Sequence, residues 1–156
     1  MSNRAEKKRF QQDLAADVNH LCQRAFESLV IVHNGRQGAG AGMIWHQDGT
    51  IVTNYHGVRK SSLSISTLDG SEYTAEIIDR QKKHDLALLK IETGEELVPA
   101  PLADSRQLRV GQFALAIGHP WGQVNSVTAG IITSLGSIPL RWHRGAVDVI
   151  RTDAGL

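Results

Sequence analysis

Residues 51–58 read IVTNYHGV, and the reading of this stretch decides the fold. Ile51, Val52 and Thr53 favour extended backbone, Asn54 and Tyr55 carry it on, and His56 followed by Gly57 ends the run. A strand that stops at His-Gly sets an imidazole at the rim of a sheet and not inside it. There, rigid backbone holds a side chain that can still meet a ligand, which is what a general base requires. A histidine at a strand end serves equally well as a structural residue, so the surrounding pattern has to decide.

Working outward, apolar residues alternate with a period of two on both sides of that stretch. Ser28–Asn34 (SLVIVHN) reads as a strand, and Gly35–Gly42 (GRQGAGAG) as a glycine-dense connection. Met43–His46 and Thr50–Asn54 form a hairpin around Gln47-Asp48-Gly49, with a glycine available for positive φ. Downstream, Ser62–Thr67, a turn at Leu68–Ser71, and Glu72–Asp79 lead into Leu86–Ile91 (LALLKI), an apolar strand expected to be buried on both faces. Short strands with regular turns are the pattern of a barrel or sandwich. Upstream, residues 4–27 read as an amphipathic helix, with Phe10, Leu14, Val18, Leu21 and Ala25 recurring at steps of three and four. That stripe fits either packing on its own domain or an oligomer contact. Cys22 within it has no chemical partner in the sequence and reads as inert packing.

Beyond the barrel pattern, Val98-Pro99-Ala100-Pro101 reads as a linker, followed by strand candidates at Gly111–Ile117, Ser126–Leu135 and Val147–Thr152. The expected organisation is therefore an N-terminal helical segment (1–27), a first β-barrel (28–100) and the start of a second barrel (101–156). The second is expected to be incomplete, because its last strand would otherwise be an unpaired edge.

Composition narrows the function classes. A formal net charge of +1 over 156 residues supplies no field for nucleic acid or a membrane surface. The one basic cluster, Arg4 with Lys7, Lys8 and Arg9, sits in the terminal helix beside Glu6 and reads as a solvated end. One cysteine excludes an internal disulfide framework. No apolar run reaches membrane length and no leader precedes the helix, which points to a cytoplasmic address. The seven histidines show no metal-ligand spacing, and the glycines at 35–42 lack the partners of a phosphate-binding loop, so neither metal nor cofactor is expected.

The second informative run is Lys82-Lys83-His84-Asp85-Leu86-Ala87. Asp85 immediately precedes LALLKI, so it and His56, 29 positions earlier, each stand at a strand end of one barrel. A buried carboxylate accepting from His Nδ1–H fixes the tautomer and stabilises the imidazolium, as in two-thirds of a nucleophilic triad. The order His, then Asp, then a later nucleophile is that of chymotrypsin-like double barrels.

With those residues in place, the chain resembles the HtrA (Do-like, Deg) serine endopeptidases of the trypsin fold. The blocks that carry the resemblance are GAGAGMIWHQDGTIVTNYHGV (38–58), HDLALLKI (84–91), LADSRQLRVGQFALAIGHPWG (102–122), VTAGIITSLG (127–136) and VIRTDAG (149–155). The resemblance implies an all-β, trypsin-like double β-barrel with an N-terminal α-helix, its second barrel incomplete. It implies His56 as general base, Asp85 as orienting acid and no cofactor. It also implies unfolded or misfolded proteins as substrates and a homo-oligomer, a trimer in this family, and a periplasmic address for many members.

Departures from the family pattern sharpen the expectation. The family's Gly-Asn-Ser-Gly-Gly run follows its Thr-Asp-Ala segment, and here Thr152–Leu156 ends the sequence. None of Ser61, Ser62, Ser64, Ser66, Ser126, Ser134 or Ser137 has the flanking glycines of an exposed nucleophile with oxyanion donors. The 156 residues alone are therefore expected to be inactive and prone to aggregation. The alternative is a non-catalytic trypsin-fold remnant acting as a binding or oligomerisation module. Gly57 suggests a looser turn after His56. His119 and Trp121 stand where the family has Asn and Phe, without a catalytic role. Gly136–Asp148, with Trp142, falls where the family has an activation-sensing loop and reads as an ordinary surface hairpin.

Overall fold

The computed structural model describes residues 2–35, 39–58, 63–119, 125–139 and 145–155. Its elements are α1 (Ser2–Glu27), β1 (Leu29–His33), β2 (Ala39–His46), β3 (Thr50–Asn54), β4 (Leu63–Ser66), β5 (Glu72–Gln81), β6 (Leu86–Ile91), β7 (Phe113–Gly118), β8 (Ser126–Pro139) and β9 (Ala146–Thr152). The first six strands close into an antiparallel barrel in the order β1-β2-β3-β6-β5-β4, and the last three form a sheet in the order β7-β8-β9. The chain divides into two compact units after Ala100, one carrying α1 and the barrel, the other the three-stranded sheet; His119 groups with the first.

Closure decides the barrel's burial pattern. Alternate residues of each strand point inward, and Val30, Val32, Ile44, Ile51, Leu63, Ile65, Leu89 and Ile91 meet as one core. Leu86–Ile91 follows the same alternation, with Ala87, Leu89 and Ile91 buried and Leu86 exposed. The expectation of a strand buried on both faces is corrected: an antiparallel barrel has one interior, so an all-apolar strand still covers only one face. The Asp48-Gly49 hairpin forms as read, with Gly49 at φ +91 and Asp48 Oδ1 accepting from Thr50 N at 3.0 Å and Thr50 Oγ1 at 2.7 Å.

The glycine-dense connection requires a second correction. Ala39–Gly42 belongs to β2, paired from Val30↔Gly42 to His33↔Ala39. A Cβ at Gly42 would stand 2.9–3.0 Å from methyl groups of Val30, Val32 and Ile51, tighter than packed side chains allow. Glycine is used here to let the barrel close, and residues 36–38 lie outside the described ones.

Helix α1 joins the barrel only by its C-terminal turns. Cys22 is buried and Ala25 and Phe26 half-buried, while Ser28 Oγ donates to Ala25 O at 3.0 Å. Phe10, Leu14 and Leu21 are exposed. Of the two roles open for the apolar stripe, packing on its own domain fails for these three residues. Val18 and Ala25, the stripe's other two members, are half-buried, so the stripe is covered only in part.

In the second unit, β7 pairs with β8 from Phe113↔Ile131 to Gly118↔Ser126, and β8 with β9 from Ile132↔Thr152 to Pro139↔Ala146. Gly136–Pro139 and Ala146–Asp148 are thus the arms of a hairpin, as read; Trp142 lies outside the described residues, as does Trp121. Ile132 is buried, and Phe113, Ile131 and Ile150 are exposed. Asp153 ties the strand end back to β8, Oδ1 accepting from Ile131 N at 2.7 Å.

Candidate active site

The β3–β6 register builds the site. Pairing runs Thr50↔Lys90, Ile51↔Leu89, Val52↔Leu88, Thr53↔Ala87 and Asn54↔Leu86. One step further sets Tyr55 opposite Asp85, and Tyr55 N donates to Asp85 O at 3.0 Å. His56 is then the next residue along, in a single 3₁₀ turn over Tyr55–Gly57 that closes with Val58 N donating to Tyr55 O at 3.0 Å. That turn is closed, not loosened, at Gly57; a Cβ there would meet nothing within 4 Å.

Asp85 is presented from the other strand by a matching device. Lys82–His84 form another 3₁₀ turn, and Asp85 leaves it in the left-handed region at φ 53, ψ 40. Aspartate tolerates that conformation better than most residues, and it swings the carboxylate back over the end of β3. Asp85 Oδ2 lies 2.7 Å from His56 Nδ1, and Oδ1 accepts from His56 N at 2.9 Å. One carboxylate therefore grips both the backbone and the ring of the same residue.

Its electrostatics fix the tautomer. The His56 backbone N–H, and then the His56 ring, hold the Asp85 carboxyl below its ordinary range. At neutral pH it is ionised and can only accept, so Nδ1 is the donor, and in the neutral ring it is Nε2 that carries the lone pair. Among the described residues no hydroxyl hydrogen-bonds to Nε2. One sequence expectation is corrected: the carboxylate is not buried, since the side chains of His56 and Asp85 are 73% and 45% exposed. Asp85 sits on a turn beyond the last paired residue of β6, past the barrel's closed core.

Asn54 is the residue that sequence reasoning passed over. Its Nδ2 donates to Asp85 O at 3.4 Å and Oδ2 at 3.3 Å, so it braces the turn that holds the carboxylate. The only signal was its place two residues before His56 at a strand end. His119 is buried, and burial lowers its pKa, favouring the neutral ring. His33 Nε2 lies 2.8 Å from Ser66 Oγ across β1 and β4, a pairing within the barrel wall. Among the described residues no group of three His, Cys, Asp or Glu converges on a point that could hold a metal ion.

Comparison with known proteins shows the family and the fold. Residues 40–156 match the family model described as trypsin-like peptidase domain. The chain is similar to Protease Do-like 5, chloroplastic, of Arabidopsis thaliana, at 38% identity over 138 residues, covering 79% of this chain and 43% of that protein. It is also similar to the periplasmic pH-dependent serine endoprotease DegQ of Escherichia coli (strain K12), at 37% identity, covering 77% of this chain and 27% of that one. Among solved structures, Deg5 superposes with a TM-score of 0.75 at 35% identity, covering 92% of this chain and 75% of that chain. The chain thus spans less than half the length of these two curated relatives. Their names place them in the chloroplast and the periplasm, and neither supports the cytoplasmic address read from the sequence. No described helix is long and apolar enough to cross a membrane.

Proposed function

The chain belongs to the trypsin-like peptidase family, with Deg and HtrA serine proteases as its relatives, and from that premise we propose that it supplies the base and the orienting acid of an HtrA-type serine endopeptidase. The observation that carries the proposal is the 2.7 Å contact from His56 Nδ1 to a carboxylate that also accepts the His56 backbone N–H. A ring held in this way presents Nε2 as a proton acceptor of fixed direction. His56 takes the proton of a serine hydroxyl as it attacks the peptide carbonyl, and returns it to the leaving amine. Asp85 stabilises the imidazolium formed between those steps and remains ionised throughout. The nucleophile of this reaction is a serine outside the 156 residues, since no serine within them has the flanking glycines the role needs.

The proposed substrates are peptide bonds of unfolded or misfolded proteins, and the proposed assembly is a homo-oligomer. Both readings rest on the family resemblance carried by the sequence blocks. The test compares hydrolysis of an unfolded protein by the 156-residue chain, by the longer protein read from its coding frame, and by that protein with His56→Ala or Asp85→Asn. The expected result is turnover by the longer protein alone. His56→Ala should lose about a millionfold and Asp85→Asn about ten-thousandfold. Serine-directed fluorophosphonate labelling that survives His56→Ala at the wild-type rate would contradict the proposal. Turnover by neither natural form would favour the non-catalytic, binding reading.

A further inference from the structure

The turn that delivers Asp85 is itself cationic. Residues 80–84 read RQKKH, with no acid among them. Lys82, Lys83 and His84 are exposed, and among the described residues no carboxylate pairs with any of the three. The two acids that flank the run are already engaged. Asp79 accepts from Arg80 N at 2.7 Å and from Gln81 Nε2 at 3.0 Å, and Asp85 grips His56. The fold thus holds two ammonium groups at this turn without using either in an ion pair of its own.

Two backbone hydrogen bonds tie this turn to the site. Asp85 N donates to Lys82 O at 3.3 Å, and Tyr55 N, one residue before His56, donates to Asp85 O at 3.0 Å. Along β6 the charge then reverses, since Glu92, Glu95 and Glu96 follow its last residue, Ile91, and are exposed. The six residues Leu86–Ile91 separate the two groups by about 20 Å at ~3.3 Å per residue. That exceeds two Debye lengths of ~8 Å at physiological salt, so these acids leave the field at the His56 end unscreened. A net charge of +1 gives the whole chain no long-range pull on a polyanion such as nucleic acid, so the lysines act locally. Neighbouring ammonium groups on an exposed turn suit the separate carboxylates of an extended acidic segment.

We propose that the Lys82–His84 turn docks an acidic stretch of another polypeptide and sets it beside His56. The docking requires no nucleophile; it rests on the peptidase reading only where the docked stretch is called a substrate. Under that reading, peptide bonds flanked by Asp or Glu are cleaved in preference to those flanked by Lys or Arg. The preference is several-fold and fades with salt, as it does for exposed charges.

The test titrates the ¹⁵N-labelled chain with a short Gly-Ser peptide bearing several glutamates, with salt varied from about 25 to 300 mM. Matched peptides bearing glutamines or lysines, and a short DNA oligonucleotide, serve as competitors. The glutamate peptide should shift the amides of Lys82–Leu86 and His56, and bind more weakly as salt rises. Lys82→Glu with Lys83→Glu should weaken it about tenfold, and the milder Lys82→Gln with Lys83→Gln about threefold. Glu95→Lys with Glu96→Lys changes net charge at the far end of β6 and should leave binding unchanged at the highest salt. Equal binding of the glutamate and glutamine peptides, indifference to both lysine variants, or shifts confined to other strands would overturn the proposal. So would tighter binding of the oligonucleotide at the same amides. In the longer protein, the ratio of cleavage of a glutamate-flanked to a lysine-flanked peptide should fall about tenfold in Lys82→Glu with Lys83→Glu. Turnover without that change would overturn the acidic preference, whereas peptide binding without turnover by any form would count against the peptidase reading alone.

Discussion

The two units use the same kind of strand and bury it differently. In the barrel, β3 and β6 close a ring in which Ile51, Leu89 and Ile65 reach zero exposure. In the sheet, β7, β8 and β9 are as rich in Ile, Leu and Val, yet Phe113, Ile131, Leu135, Ile138 and Ile150 are exposed and Ile132 is buried. Apolar alternation offers a face to bury, and only closure or a covering layer completes the burial. The difference also explains where the candidate site was found. His56 and Asp85 stand on the closed unit, whose register fixes their separation without help from any other part of the chain.

The comparison breaks most readily in the core. Leu89→Ala or Ile51→Ala should cost about 2–5 kcal/mol in the barrel, while Ile150→Ala in the sheet should stay within about 1 kcal/mol. Native-state hydrogen exchange reads each unit separately, and barrel amides of β3 and β6 should be the most protected. Equal costs in the two units would mean that the sheet is covered in solution. The next effect concerns glycine. Gly42→Ala drives a methyl against Val30, Val32 and Ile51 and should cost about 1–3 kcal/mol, whereas Gly136→Ala meets open space and should cost about 0.5 kcal/mol or less.

A third effect is read along the pH axis. The folded Asp85 carboxyl titrates below its unfolded value, so the folded state binds fewer protons. Its contribution is complete above the unfolded pKa of about 3.9 and is lost as pH falls through the lower folded value. Asp85→Asn should remove that acid-side loss while leaving the neutral-pH core intact. Acid unfolding followed at β3 amides in both forms checks it, and superimposable curves would count against the contact. The smallest effect is expected at Asn54. Its two exposed bonds, at 3.3 and 3.4 Å, make Asn54→Ala worth about 0.5–1 kcal/mol, seen as a small upward shift of the Asp85 carboxyl by NMR titration.

Most of the fold was legible because period-two alternation and turn residues act locally. Thr50–Asn54 and Leu86–Ile91 were bounded correctly, and the Asp48-Gly49 turn announced its geometry in its residues. What escaped depended on contacts distant in sequence. Gly42 looks like loop until the methyls of Val30 and Ile51 are set around it. The exposed faces of Leu86 and of α1 follow from which side the barrel closes, and no spacing encodes that. The site divides in the same way. His56 and Asp85 were readable as strand ends within a family pattern, but the left-handed turn at Asp85 and the brace from Asn54 exist only once β3 and β6 are paired. The carboxylate's exposure was missed for the same reason, because chain order says nothing of how far a turn stands beyond the barrel.

The central claim is that Asp85 locks His56 with Nδ1 protonated and Nε2 free to accept a proton. The most direct measurement is the ¹⁵N and ¹H NMR spectrum of the His56 ring in the histidine-labelled chain at neutral pH, with Asp85→Asn beside it. This account predicts an Nδ1–H tautomer with a hydrogen-bonded, downfield Nδ1 proton that is lost in Asp85→Asn. An Nε2–H tautomer in the natural chain, or a His56 spectrum indifferent to Asp85→Asn, would contradict it.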